Sequence, residues 1–77
     1  MSDILWEKEG EDQSGLAKIV EDLIVSRELC WFHEEEMKWD GTASFLEADG
    51  FTIDAPDDSG ISRDFKFENI VLIERKL

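Results

Sequence analysis

Phe51-Thr52-Ile53-Asp54-Ala55, then Pro56-Asp57-Asp58-Ser59-Gly60, then Ile61-Ser62-Arg63-Asp64-Phe65-Lys66-Phe67 is the stretch that decides the fold. In the first run apolar residues fall at every second position, the period of a strand with one face in a core and one in water. The second run repeats the alternation through Ile61, Arg63, Phe65 and Phe67, and predicts an aromatic face toward the core and a charged face toward solvent. Between them proline, acids and glycine cannot continue a strand, so the chain must turn. Two short alternating strands joined by a short loop specify an antiparallel pair.

The flanks extend that pattern. Asp40-Gly41 and Asp49-Gly50 each lie between short apolar-containing runs, and Asp-Gly supplies the positive φ angles of a type I′ hairpin, so each is expected to be a hairpin turn. Glu68-Asn69 reads as a short turn. Ile70 to Ile73 is apolar on both faces and suits a central strand. On the N-terminal side, Leu29, Trp31 and His33 alternate with Cys30 and Phe32, a composition that favours a strand. Leu16, Ile19, Val20, Leu23 and Ile24 fall on one stripe of an amphipathic helix, for which Asp12 or Ser14 is a suitable N-cap. Residues 7–15 are polar, hold two glycines and lack hydrophobic period, so they are expected to be a flexible lead-in. Ile4, Leu5 and Trp6 before them are apolar enough to dock. The fold class that follows is α+β: one N-terminal helix and a four- or five-stranded antiparallel meander, built either as an open two-layer fold or as a small SH3-like or Sm-like barrel.

A chain of 77 residues makes one domain, 1–77. Its 42% hydrophobic content, with five Phe and three Trp, is too high for intrinsic disorder. Cys30 is alone, so no internal disulfide can form, and a homodimer is one route to added stability. An unpaired cysteine, no basic start leading into an apolar run and no long apolar stretch predict a cytoplasmic protein without membrane contact. The net charge is −12, and it is uneven: residues 1–60 hold 17 acids and four bases, residues 61–77 three acids and four bases. Such a charge repels nucleic acid and favours a basic protein surface as partner.

Catalytic and metal chemistry find little support in these residues. Cys30 and His33 have a spacing seen in metal sites, but no second Cys or His completes a zinc set. His33-Glu34-Glu35-Glu36 lacks the second histidine of the zinc-protease motif. Asp54, Asp57, Asp58 and Ser59 suit a turn better than the ordered ligands of a calcium loop. There is no phosphate-binding glycine loop, and no serine is tied to the lone histidine by local pattern. The expectation is therefore a protein that is not an enzyme, with no metal and no cofactor.

Binding chemistry has more to work with. Glu34, Glu35 and Glu36 form the densest acid run, followed by Trp39 and Asp40. Glu47 and Asp49 flank one expected turn, and Asp57 and Asp58 another. Same-face residues on a strand are about 6.6 Å apart, near the spacing of phosphates along a DNA strand, so Glu34 with Glu36, or Glu47 with Asp49, could stand in for backbone phosphates. Glu34, Glu35, Glu36, Asp40, Glu47, Asp49, Asp57 and Asp58 are the expected partner contacts, with Trp39 as an aromatic anchor. The function this implies is a non-enzymatic inhibitor that occupies the basic, nucleic-acid-binding surface of a host protein by charge mimicry. An immunity protein or antitoxin neutralising a cationic toxin, or a small transcription-regulating adaptor, is the alternative.

Two short resemblances accompany these readings. Ser2-Asp3-Ile4-Leu5-Trp6-Glu7-Lys8-Glu9 resembles the start of the phage uracil-DNA glycosylase inhibitors, small acidic DNA mimics. Where that family inserts a Glu-Ser-Ile edge into its target, this chain has Glu21-Asp22-Leu23-Ile24 on an expected helix, so the target does not carry over. Ser62-Arg63-Asp64-Phe65-Lys66-Phe67-Glu68-Asn69-Ile70 is similar to the last strands of Sm-like small barrels, which implies architecture alone. In size, acidity and missing catalytic motif the chain also resembles phage-encoded anti-CRISPR and antirestriction proteins.

Overall fold

A computed structural model describes residues 3–10, 13–57 and 59–76. The elements run β1 (Asp3–Glu7), α1 (Leu16–Ser26), β2 (Cys30–Glu34), β3 (Lys38–Leu46), β4 (Gly50–Asp54), β5 (Ser62–Lys66), a 3-10 turn (Phe67–Asn69) and β6 (Ile70–Arg75). All strand pairs are antiparallel, in the order β1-β6-β2-β3-β4-β5. The sheet is open, with β1 and β5 at its edges. Five strands follow the helix, as the alternation predicts. A sixth precedes it: Asp3–Glu7, whose apolar residues alone suggested docking, pairs with β6.

The helix forms where the apolar stripe falls. Leu16, Val20 and Leu23 are buried and Ile19 and Ile24 pack half-exposed beside them. Its N-cap is Gly15, in the left-handed region and without a side-chain cap bond, in place of the expected Ser14; Asp12 lies outside the described residues. At the other end Arg27, also left-handed, donates its backbone N–H to the Leu23 carbonyl at 2.8 Å and stops the helix.

The sheet buries one face under this helix. Cys30 and Phe32 of β2, Ala43 of β3, Phe51 and Ile53 of β4, Phe65 of β5, and Ile70 and Ile73 of β6 complete the core. Phe51 lies 5.5 Å from Phe32, 5.6 Å from Phe65 and 5.8 Å from Phe67 between ring centroids. Full burial of one such side chain stabilises the fold by about 1.5–3 kcal/mol, and aromatic pairing adds to that. A bulge between Ile4 and Trp6 lets the successive residues Leu5 and Trp6 both pack against the cluster. β6 is interior, paired on both sides, which explains its unbroken apolar run.

The turn chemistry departs from the sequence reading. Asp40-Gly41 is not a hairpin; it lies inside β3, whose residues 38–41 pair with β2 and 42–46 with β4. The hairpin before it is Glu35-Glu36-Met37, closed by the Glu34 N–H donating to the Met37 carbonyl at 2.8 Å. Asp49-Gly50 does end a hairpin turn, with the Glu47 N–H donating to the Gly50 carbonyl at 2.8 Å, but neither residue has positive φ. Both glycines serve close approach instead. A Cβ on Gly41 would collide with the Asp54 carbonyl oxygen, and one on Gly50 with the Phe65 carbonyl oxygen. They let β4 and β5 fold in tightly where a side chain would hold them off.

Candidate functional site

Three surfaces hold the residues singled out in the sequence. The first is a rim of turns. Glu34 ends β2, Glu35 and Glu36 form the β2–β3 turn, and Glu68 of the 3-10 turn comes to meet them around a cleft of about 330 Å³ that also touches Lys8 and Met37. Glu68 then continues the rim: it lines a second depression with Asp49, and both Glu68 and Glu47 help raise the Lys66 pKa, after the larger effect of Asp49. So Glu34, Glu35, Glu36, Glu68, Asp49 and Glu47 form one acidic band, although the two turns stand at opposite ends of β3 in the sequence. Among the described residues no Lys, Arg or His side chain lies within ion-pair distance of Glu34, Glu35, Glu36, Glu47 or Glu68.

Two details of the rim differ from a strand ladder of free carboxylates. Glu36, Glu47 and Asp49 lie in turns, so neither expected pair follows the 6.6 Å ladder of a strand. Asp49 is not a free charge either: Lys66 Nζ donates to its carboxylate at 2.8 Å and holds its pKa below the ordinary carboxylate value.

The second surface is the sheet face away from the helix. Trp31 sits there with Lys38 Nζ at 4.6 Å and Lys76 Nζ at 4.8 Å from its ring centroid. Asp40 accepts a bond from Lys76 and His33 Nε2 lies 2.7 Å from Glu74 Oε1. On the helix side of the sheet, Arg75 bonds both Glu28 and Asp3, each at 2.9 Å, drawing the chain before β2 and the first strand onto β6. Around Trp31 both lysines are thus engaged within the molecule. Asp40, expected to face a partner, is committed to Lys76.

The third surface is a cleft of about 370 Å³ over Trp39, reached by Asp40, Ile53, Pro56, Asp57, Ile61 and Arg63. Trp39 is half-buried, and its indole N–H is buried without an acceptor among the described residues. The Arg63 guanidinium lies over its ring at 3.6 Å. Asp57 accepts the backbone N–H of Ser59 at 3.0 Å, and the hydrogen bonds from Ser59 lower its pKa. The carboxylate thus shapes the turn while staying exposed. Asp58 lies outside the described residues.

Cys30 and His33 cannot share a ligand, because three residues along a strand place them on opposite faces. Cys30 is fully buried, and burial pushes its thiol up to about 11, far from a reactive thiolate. Among the described residues no group of three or more His, Cys, Asp or Glu is placed to hold a metal ion, and no helix is long and apolar enough to cross a membrane. Glu68 is the residue that sequence reading missed. It lies in the tail whose charges nearly cancel, and only the pairing of β6 with β2 brings it beside Glu34 to Glu36. Comparison with known protein families, curated proteins and solved structures finds no match for the chain.

Proposed function

We propose that the protein is a non-enzymatic acidic inhibitor that binds the basic, nucleic-acid-binding surface of a host protein by charge mimicry, in the manner of anti-defence inhibitors. The observation that carries this reading is the unneutralised rim. Glu34, Glu35, Glu36, Glu47 and Glu68 have no cation in ion-pair distance among the described residues and gather along one band; Glu7, Glu9, Glu21, Asp54, Asp57 and Asp64 are also without one but lie off that band, while Asp3, Asp22, Glu28, Asp40 and Asp49 are each matched. Uncompensated like charge costs the free protein folding free energy by self-repulsion, and a basic partner relieves it. The sheet fixes the backbone from which the rim projects, so binding has only the glutamate side chains to order.

Capture of partners from host lysate on immobilised protein tests the reading. The wild type is expected to hold a basic, nucleic-acid-binding protein at low salt and release it at high salt, and the variant Glu34→Lys/Glu35→Lys/Glu36→Lys/Glu68→Lys to hold none. Equal capture by both proteins at low salt would refute it. The placement of these acids on turns, off any strand ladder, favours one second reading, an immunity protein or antitoxin against a cationic toxin, which needs no phosphate-like spacing. Competition separates the two: duplex DNA displaces an inhibitor of a DNA-binding surface and leaves a toxin complex intact.

The finer architecture belongs to the same proposal. A helix, then five strands with a 3-10 turn before the last, supports reading β2 to β6 as a small Sm-like barrel left open, with β1 added along β6.

A further inference from the structure

We propose that the cleft over Trp39 receives an arginine side chain of the basic protein partner, in the seat that Arg63 fills in the free chain. The proposal rests on the reading of the protein as a binder of basic surfaces, but it uses a different part of the molecule.

The chain itself displays the chemistry of the occupant. The guanidinium carbon of Arg63 stands 3.6 Å from the centre of the Trp39 ring, where a planar cation stacks on an aromatic face. Arg63 is exposed, sits on the edge strand β5, and has no carboxylate within ion-pair distance among the described residues. Stacking is therefore what holds it, and a second guanidinium can exchange with it at small cost. The walls suit such a side chain along its whole length. Pro56 and Ile61, the latter 54% exposed, offer apolar surface to the methylene stem, and Asp57 at the mouth of the cleft offers an exposed carboxylate to the head. Gly41 makes the cleft possible, since a side chain there would strike Ile53 and the Asp54 backbone and push β4 away from β3.

Binding is tested by proton–nitrogen NMR on the full chain, following the three indole N–H signals while adding the capped tripeptide Gly-Arg-Gly or its lysine counterpart. The salt is set high enough to mute the rim. The Trp39 signal is expected to move saturably, with the arginine peptide binding more tightly than the lysine one. Arg63→Lys keeps the charge and weakens the stack, so it is expected to tighten the arginine peptide about two- to fivefold, the factor an exposed cation–π contact represents. A response centred on Trp31, equal affinity for both peptides, or unchanged or weaker binding to Arg63→Lys would each overturn the proposal. The rim is separable: Glu34→Gln/Glu35→Gln/Glu36→Gln should leave the Trp39 titration intact. If lysate capture ignores the rim while Trp39 still selects arginine, the rim reading fails and the cleft stands; if capture needs the rim and Trp39 is silent, the reverse holds.

Discussion

The acidic rim and the sheet face around Trp31 contain the same kinds of residue and treat them in opposite ways. On the sheet face Asp40 meets Lys76 and Glu74 lies within hydrogen-bond reach of His33, and on the helix side Asp3 and Glu28 share Arg75. On the rim Glu34, Glu35, Glu36, Glu47 and Glu68 meet no cation among the described residues. The difference teaches that net charge is not itself a surface property. Internal pairing absorbs part of it, and what is left over marks where an external cation can gain most.

That contrast can be broken or sharpened by substitution. The largest effect belongs to the structural side: Phe32→Ala, fully buried within the aromatic cluster, should cost about 3–5 kcal/mol in urea denaturation. Gly41→Val should cost about 1–3 kcal/mol, because the new side chain must push β4 off β3. Arg75→Ala should destabilise less than either, since its two partners are partly solvated, and the loss should shrink in salt. The smallest effect should come from Glu34→Gln/Glu35→Gln/Glu36→Gln, which removes unpaired charge and should leave the urea midpoint unchanged or slightly raised. A clear fall in that midpoint would mean the rim is structural, and the contrast would collapse.

Titration sharpens it further. The Asp49 carboxyl has a folded pKa below its ordinary value of 3.8 because Lys66 stabilises the ionised form. The contribution of that pair is therefore present above about pH 3.8 and lost as pH falls through the lower folded value. Asp49→Asn should remove this part of the acid dependence in a pH series of denaturation curves. Cys30 behaves oppositely: its thiol is raised from 9.0 to about 11 by burial, so the stability it contributes is full below pH 9.0 and fades as pH climbs toward 11. At neutral pH a disulfide reagent should modify it only at the rate of unfolding.

The sequence was most readable where period alone decides. Leu16, Val20 and Leu23 on one stripe, and Phe51, Ile53 and Phe65 at alternate positions, became the core as their spacing predicts. It was least readable at the turns. Asp40-Gly41 has the composition of a hairpin and is strand interior; Glu35-Glu36-Met37 has none of that composition and is a hairpin. A glycine satisfies two demands, positive φ and close approach, and a local window cannot tell which one a fold makes. The candidate site was partly legible in the same sense: the run Glu34 to Glu36 was visible, but the partners of Asp40 and Asp49 were not.

By itself, then, the sequence determined one helix, an antiparallel set of short strands, and an acidity larger than solubility requires, because these follow from composition and from periods of 3.6 and 2 along the chain. Only the tertiary structure decided which acids remain free. Lys76 reaches Asp40 and Lys66 reaches Asp49 across 36 and 17 residues, and Glu68 joins Glu34 to Glu36 through the pairing of β6 with β2. Long-range strand pairing sets those meetings, and no local pattern encodes them.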